Sequence, residues 1–196
     1  MKRCLTLLLL IFVVVLLPAS GQNEGSAFNW SLGLQNVRTG DLISFNAPVQ
    51  SFTGEKFRLV ITPFTECYFY VVYESPGGED VLVLYSGAMK NGDVWYSPVL
   101  ELAPPNGSES LFIVASKEEQ KTLAQRVAAF INNPGPAQRR ALMNEVFRVR
   151  SEASKFKEAP EKPVLMGGAS RGNADKSQGL EFSGHNTYVK TISIEH

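Results

Sequence analysis

The sequence predicts an α+β fold: an antiparallel β-sandwich-like core with an αα-hairpin inserted before the C-terminal strand. Three observations lead there. Between Phe57 and Ser116, β-branched and aromatic runs alternate with Pro, Gly and Asn punctuation, the pattern of successive short strands. From Lys117 to Lys157 the apolar residues recur at helical spacing instead. From Tyr188 to Ile194 the chain returns to period two, with Tyr188, Ile192 and Ile194 on one side.

The first residues stand apart from that domain. Met1-Lys2-Arg3 is basic, Leu5 to Leu17 is apolar apart from Thr6, and Pro18 and Ala19-Ser20-Gly21 follow. This is the layout of a secretory signal peptide cleaved near Gly21. The apolar run is shorter than the ~20 residues a helix needs to cross a bilayer. Cys4 precedes the run, the wrong side for a lipidated first residue. Residues 22–27 are small and polar and read as a flexible leader, leaving 28–196 as a single β-rich domain.

Phe28, Trp30, Leu32 and Leu34 alternate with polar or small residues, which predicts a half-buried strand. Ile43, Phe45, Ala47 and Val49 predict a second strand, ended near Pro48. Phe57, Leu59 and Ile61 share one face of a third, stopped by Pro63. Cys67 to Tyr73 is apolar at every position, as a strand covered on both faces must be. Ser75-Pro76-Gly77-Gly78 is a turn, and Val81 to Tyr85 is the returning strand of a hairpin. Val94 to Tyr96 and Val99 to Leu102 are short strands split by Pro98, and Leu111 to Ala115 follows the Pro104-Pro105-Asn106-Gly107 loop.

Ser116 and Glu119 have the spacing of a capping box. Leu123, Val127, Phe130 and Ile131 mark the apolar face of a first helix, which Asn132-Asn133-Pro134-Gly135 ends. Pro136 suits the first turn of a second helix, with Leu142, Val146, Val149 and Ala153 on its apolar face and Phe156 near its end. Ala159 to Pro163 closes the helical part. Met166 to Gly184, with few apolar residues, reads as a long Gly-rich loop, and long loops are functional or disordered more often than short ones. A final strand occupies about 187–195.

Composition narrows the function classes. The chain has 19 Lys plus Arg and 19 Asp plus Glu. Lys2 and Arg3 lie in the leader, so the remainder carries two more acids than bases. That balance gives no electrostatic case for nucleic acid or an anionic membrane surface. Past the leader Cys67 is the one cysteine, so no intrachain disulfide can form, and its apolar neighbours predict a buried, inert thiol.

The succession Thr53-Gly54-Glu55-Lys56-Phe57-Arg58-Leu59, Glu66-Cys67-Tyr68-Phe69-Tyr70-Val71, Val83-Leu84-Tyr85, Pro104-Pro105-Asn106-Gly107 and Leu111 to Ser116 resembles domain of unknown function 4384. The resemblance covers Thr53 to Ser116 and rests on aromatic and turn positions. Its departure is Ser86, where the family often has proline after the aromatic. The resemblance implies a β-sandwich-like module of an exported bacterial protein and implies no activity.

Catalytic motifs do not assemble. Gly168-Ala169-Ser170-Arg171-Gly172 matches the G-x-S-x-G pattern, and Asp175 and His185 follow in triad order. That chemistry needs a strand-to-helix turn above a parallel sheet, and neither flank supplies one, so Ser170, Asp175 and His185 are set aside. A P-loop fails because Asn173-Ala174-Asp175 follows the second glycine instead of Lys and Ser/Thr. Arg171 among glycines is the basic group that could hold an anion. His185, His196 and Cys67 lack metal-ligand spacing, His196 reads as exposed, and no cofactor is expected. Trp95 and Tyr96, with Trp30 nearby, are the candidate binding aromatics for a glycan or a protein.

The expected function is therefore a non-catalytic envelope or periplasmic module that binds another envelope protein, with no membrane span after the leader. The alternatives are a glycan-binding sandwich using Trp95 and Tyr96, and a serine hydrolase using Ser170.

Overall fold

In the computed structural model the described residues are 27–154, 162–165 and 178–196. Among them, two β-sheets face each other and two helices cover the far side of one sheet. Residues 1–26, expected to be signal peptide and leader, and Phe156, Ser170, Arg171 and Asp175 lie outside the described residues.

Sheet A is built on β1 (Phe28–Asn36) and β4 (Lys56–Pro63), antiparallel neighbours with Leu32 opposite Ile61. On one side of β1 lie β11 (Gln178–Gly184) and then β10 (Lys162–Leu165). Beyond β4 lie two-residue strands, β7 (Trp95–Tyr96) and β8 (Leu100–Glu101), while β2 (Leu42–Ile43) pairs the end of β1. Sheet B runs β3 (Val49–Gln50), β12 (Thr187–Glu195), β9 (Ser108–Ser116), β5 (Cys67–Glu74), β6 (Val81–Met89). All of these pairings are antiparallel except β3 with β12. The helices are α1 (Lys121–Asn132) and α2 (Pro136–Ala153).

Period-two alternation decides which residues fill which core. Phe28, Trp30, Leu32 and Leu34 of β1, with Phe57, Leu59 and Ile61 of β4, face sheet B. Cys67, Phe69 and Val71 of β5, with Leu111, Ile113 and Ala115 of β9, meet them. The intervening residues Tyr70, Val72, Phe112 and Val114 point the other way, against Leu123 and Val127 of α1 and Leu142, Val146 and Val149 of α2. This is why Cys67 to Tyr73 is apolar throughout: β5 lies between two apolar layers. Trp30 anchors the sandwich, stacked on Phe182 at 4.7 Å and edge-on to Phe69 at 5.3 Å. It is a core residue and contributes nothing to a binding surface.

Four expectations are corrected. The segment from Leu42 to Val49 is not one strand: it leaves sheet A after β2 and joins sheet B at β3, with Phe45 buried in the crossing. The loop expected over Met166 to Gly184 ends early, because Gln178–Gly184 is β11 and pairs β1 with Phe182 opposite Trp30. Its alternation, Leu180 and Phe182 inward, was hidden among glycines and polar residues. Residues 166–177 lie outside the described set. The capping box does not form, because β9 continues through Ser116 and α1 begins at Lys121. Ser116 Oγ instead donates to the Asn186 carbonyl at 3.1 Å, and Tyr70 accepts the Gln120 backbone N–H at 3.2 Å through its hydroxyl oxygen. Finally, Ile131 is 59% exposed, off the apolar face of α1.

Turns are placed by glycine where the backbone requires it. Gly77 and Gly78 have φ of +73° and +71°, a conformation that side chains rarely adopt, in the turn joining β5 to β6. The Pro104–Pro105 peptide bond is cis.

Candidate functional site

The aromatic pair expected to bind ligands is divided by the sheet it sits in. Trp95 pairs Ile61 and Tyr96 pairs Val60, so the two rings lie on opposite faces of sheet A. Trp95 packs against the sandwich core and meets Tyr85 of β6 edge-on at 5.2 Å. It bridges the two sheets at their β6–β7 side. Tyr96 is 46% exposed on the outer face, with the Arg58 guanidinium 4.8 Å over its ring and Arg58 Nε donating to Gln35 Oε1 at 2.7 Å. Two stacking rings side by side, as a sugar platform requires, are therefore absent at this position. His185 sits exposed in the bend between β11 and β12. Cys67 is fully buried, and burial pushes its thiol up to about 12. A thiol that holds its proton so firmly is not a nucleophile at neutral pH.

Two arrangements that sequence reasoning missed carry more chemistry. The first is a cleft of about 230 Å³ where the β5–β6 turn meets the link between the helices. Val81, Phe130, Pro134 and Pro136 give it apolar walls, and Glu79, Asp80 and Arg139 supply charge. It opens beside β6, which runs nine residues and ends sheet B, with β5 as its strand partner. Leu82, 51% exposed, and exposed Ser86 and Ala88 lie along this edge. A long edge strand offers a row of backbone donors and acceptors to another extended chain.

The second is a polar cluster at the end of the sandwich where β12 finishes. Tyr73 of β5, Glu109 of β9 and His196, the residue after β12, point inward. Glu109 stands opposite Ile194, so His196 lies diagonal to it, and Tyr73 lies diagonal on the other side through its pairing with Leu111. His196 Nε2 is 3.3 Å from Glu109 Oε1, and the two side chains are 0% and 3% exposed. Nε2 makes no aligned hydrogen bond at that distance. Tyr73 hydrogen-bonds Glu109, and burial pushes the Tyr73 hydroxyl well above its ordinary range. Burial also raises the Glu109 carboxyl, against the opposing pull of Tyr73 and His196. On the solvent side, His196 Nδ1 is 3.2 Å from Thr53 Oγ1, and Thr53 donates to Asn106 Oδ1 at 2.9 Å.

This corrects the reading of His196 as exposed. The signal was parity: residues 188, 192, 194 and 196 share one face of the last strand, as do 109, 111, 113 and 115 of β9. The same alternation that identified the core placed an acid and a histidine inside it.

Among the described residues, no group of three or more His, Cys, Asp and Glu is placed to hold a metal ion. No described helix is long and apolar enough to cross a membrane. No family model matches the chain, and no curated protein matches it.

Proposed function

We propose that this is an exported, non-catalytic module of the bacterial cell envelope or periplasm that binds another protein, using the exposed edge of β6 and the cleft beside it. The observation that carries the reading is the edge of β6, which pairs β5 alone among the described residues, adjoining an apolar-walled cleft. An extended segment of a partner would add to sheet B along Val81–Met89, and its side chains would reach the cleft between Val81 and Phe130. The same reading draws on the leader-like residues 1–21 and on the resemblance to domain of unknown function 4384. No catalytic set competes with it among the described residues: Cys67 is buried and protonated, and the pair Glu109–His196 is sealed from solvent.

A photo-crosslinking amino acid at position 82 tests the docking edge in cells. It should give an adduct of one discrete mass, absent when the crosslinker replaces exposed Thr39 and lost when Ala88→Lys charges the edge. Equal labelling at positions 82 and 39, or none at either, removes the reading. N-terminal sequencing of the protein from the envelope fraction checks the export step, with Gln22 expected at or next to the start.

A further inference from the structure

We infer that the protein docking at the β6 edge is a second copy of this chain, antiparallel across a two-fold axis, so that two five-stranded sheets join into one. The inference rests on the reading of β6 as a docking edge and names the occupant. Val81–Met89 contains no charged residue and no proline, although these are the common guards of an exposed edge. The charges stand at the ends of the strand instead. Glu79 and Asp80 precede it, Lys90 follows it, and all three are exposed. No ion pair among the described residues takes up any of them.

Opposite signs at the two ends select both the partner and its direction. An antiparallel second copy brings its Lys90 to Glu79 and Asp80, and the two-fold axis repeats the match at the other end. A parallel copy would set acid against acid and lysine against lysine.

Parity fixes the register. Leu84 is an extra residue in β6, because Tyr85 lies opposite Val71 and Val83 opposite Val72 of β5. Val81 and Val83 pack toward the helices, and Ser86 and Ala88 share that face through their pairing with Tyr70 and Tyr68. Cross-strand neighbours must share a face. With Tyr85 beside its own symmetry mate and Leu84 passed over, Val83 meets Ser86 of the second copy, Val81 meets Ala88 and Glu79 meets Lys90. On the opposite face Leu82, 51% exposed, covers Gly87 of the second copy, which has no side chain to obstruct it. The Tyr85 hydroxyl donates to the Ala88 carbonyl at 3.0 Å, and that oxygen keeps a second lone pair for a partner N–H.

The same register gives the cleft beside Val81 an occupant. Lys90 of the second copy arrives there on the helix side. Its aliphatic stem would lie along Val81 and Phe130, and its ammonium would meet Glu79 and Asp80. Arg139 also lines the cleft, but two acids against one base leave the lining with the net charge of one acid, which suits a cation. The Lys90 backbone N–H is already held by Asp93 Oδ2 at 2.8 Å, so the turn that carries the lysine is fixed.

Sedimentation velocity of the purified protein tests the pairing, across micromolar to millimolar concentrations. The mass should double reversibly. Lys90→Glu, and separately Glu79→Lys with Asp80→Lys, should each loosen the dimer about tenfold or more. An equimolar mixture of those two variants should restore it, because one copy then carries acids at both ends of β6 and the other carries bases. Ala88→Lys should abolish it. All of these positions are exposed, and circular dichroism checks that each variant folds. In cells, the adduct from position 82 should have twice the mass of one chain. A protein that stays monomeric when pure, with a position-82 adduct of another mass in cells, overturns the second copy and leaves the docking edge standing. No adduct at position 82 removes both. A dimer indifferent to the charge reversals forms elsewhere on the molecule and also overturns the inference.

Discussion

At the scale of single residues, the strands sort side chains by parity, and chemistry follows from which side each residue falls on. Cys67 shares its inward parity with Phe69 and Val71, and so loses both solvent and reactivity. Native protein should therefore resist alkylation by iodoacetamide at neutral pH, and the same thiol should react fully in denaturant. Mass spectrometry reads both, and rapid native labelling would contradict the burial. Parity also explains what the sequence disclosed and what it withheld. The core positions of β1, β4, β5 and β9 were legible because apolar residues advertise an inward face. Glu109 and His196 were not, because polar residues on that face look like loop residues until their strand partners are known. Trp95 and Tyr96 show the converse, since adjacency in sequence suggested a common surface and the pleat set them on opposite sides.

At the scale of elements, the helical hairpin is a cover for sheet B. Its apolar face meets Tyr70, Val72, Phe112 and Val114, so each helix is held by the sheet more than by its own propensity. Leu142→Ala should cost about 2–5 kcal/mol, as expected for truncating a fully buried leucine. Ile131→Ala, on an exposed position of α1, should change stability by less than about 0.5 kcal/mol. Urea midpoints separate the two, and comparable losses would mean that α1 packs differently. The α2 helix was legible almost residue for residue, because Leu142, Val146, Val149 and Ala153 repeat at helical spacing and all are buried. Its start at Pro136 was legible too, whereas the start of α1 was not. Ser116 and Glu119 satisfied a local capping rule, and pairing of Ser116 with Tyr68 and Thr187 across sheet B overrode it. The strand β11 escaped for a related reason: with glycines at 179 and 184, its identity depends on β1 lying alongside.

At the scale of the whole molecule, the order of strands in space departs from their order along the chain. β1 joins β4 and β11, and β12 inserts between β3 and β9. Deleting Thr187–His196 would unpair all of β9's free side, remove Tyr188, Ile192 and Ile194 from the core and take away His196. The truncated chain should lack cooperative unfolding and a dispersed amide spectrum; a folded truncation would show that β12 is peripheral. Fold class could be read from the sequence because it depends on periodicity. The assignment of strands to two sheets could not, because pairing between residues more than a hundred positions apart leaves no local mark.

The place of β12 has a further consequence for how sheet B closes. Among the described residues β3 meets that sheet through β12, and Gln50 and Glu195, which join side chains there, stand 145 positions apart. That margin cannot zip up from neighbouring strands; it waits on the meeting of two distant stretches, so its assembly is a search across long loops.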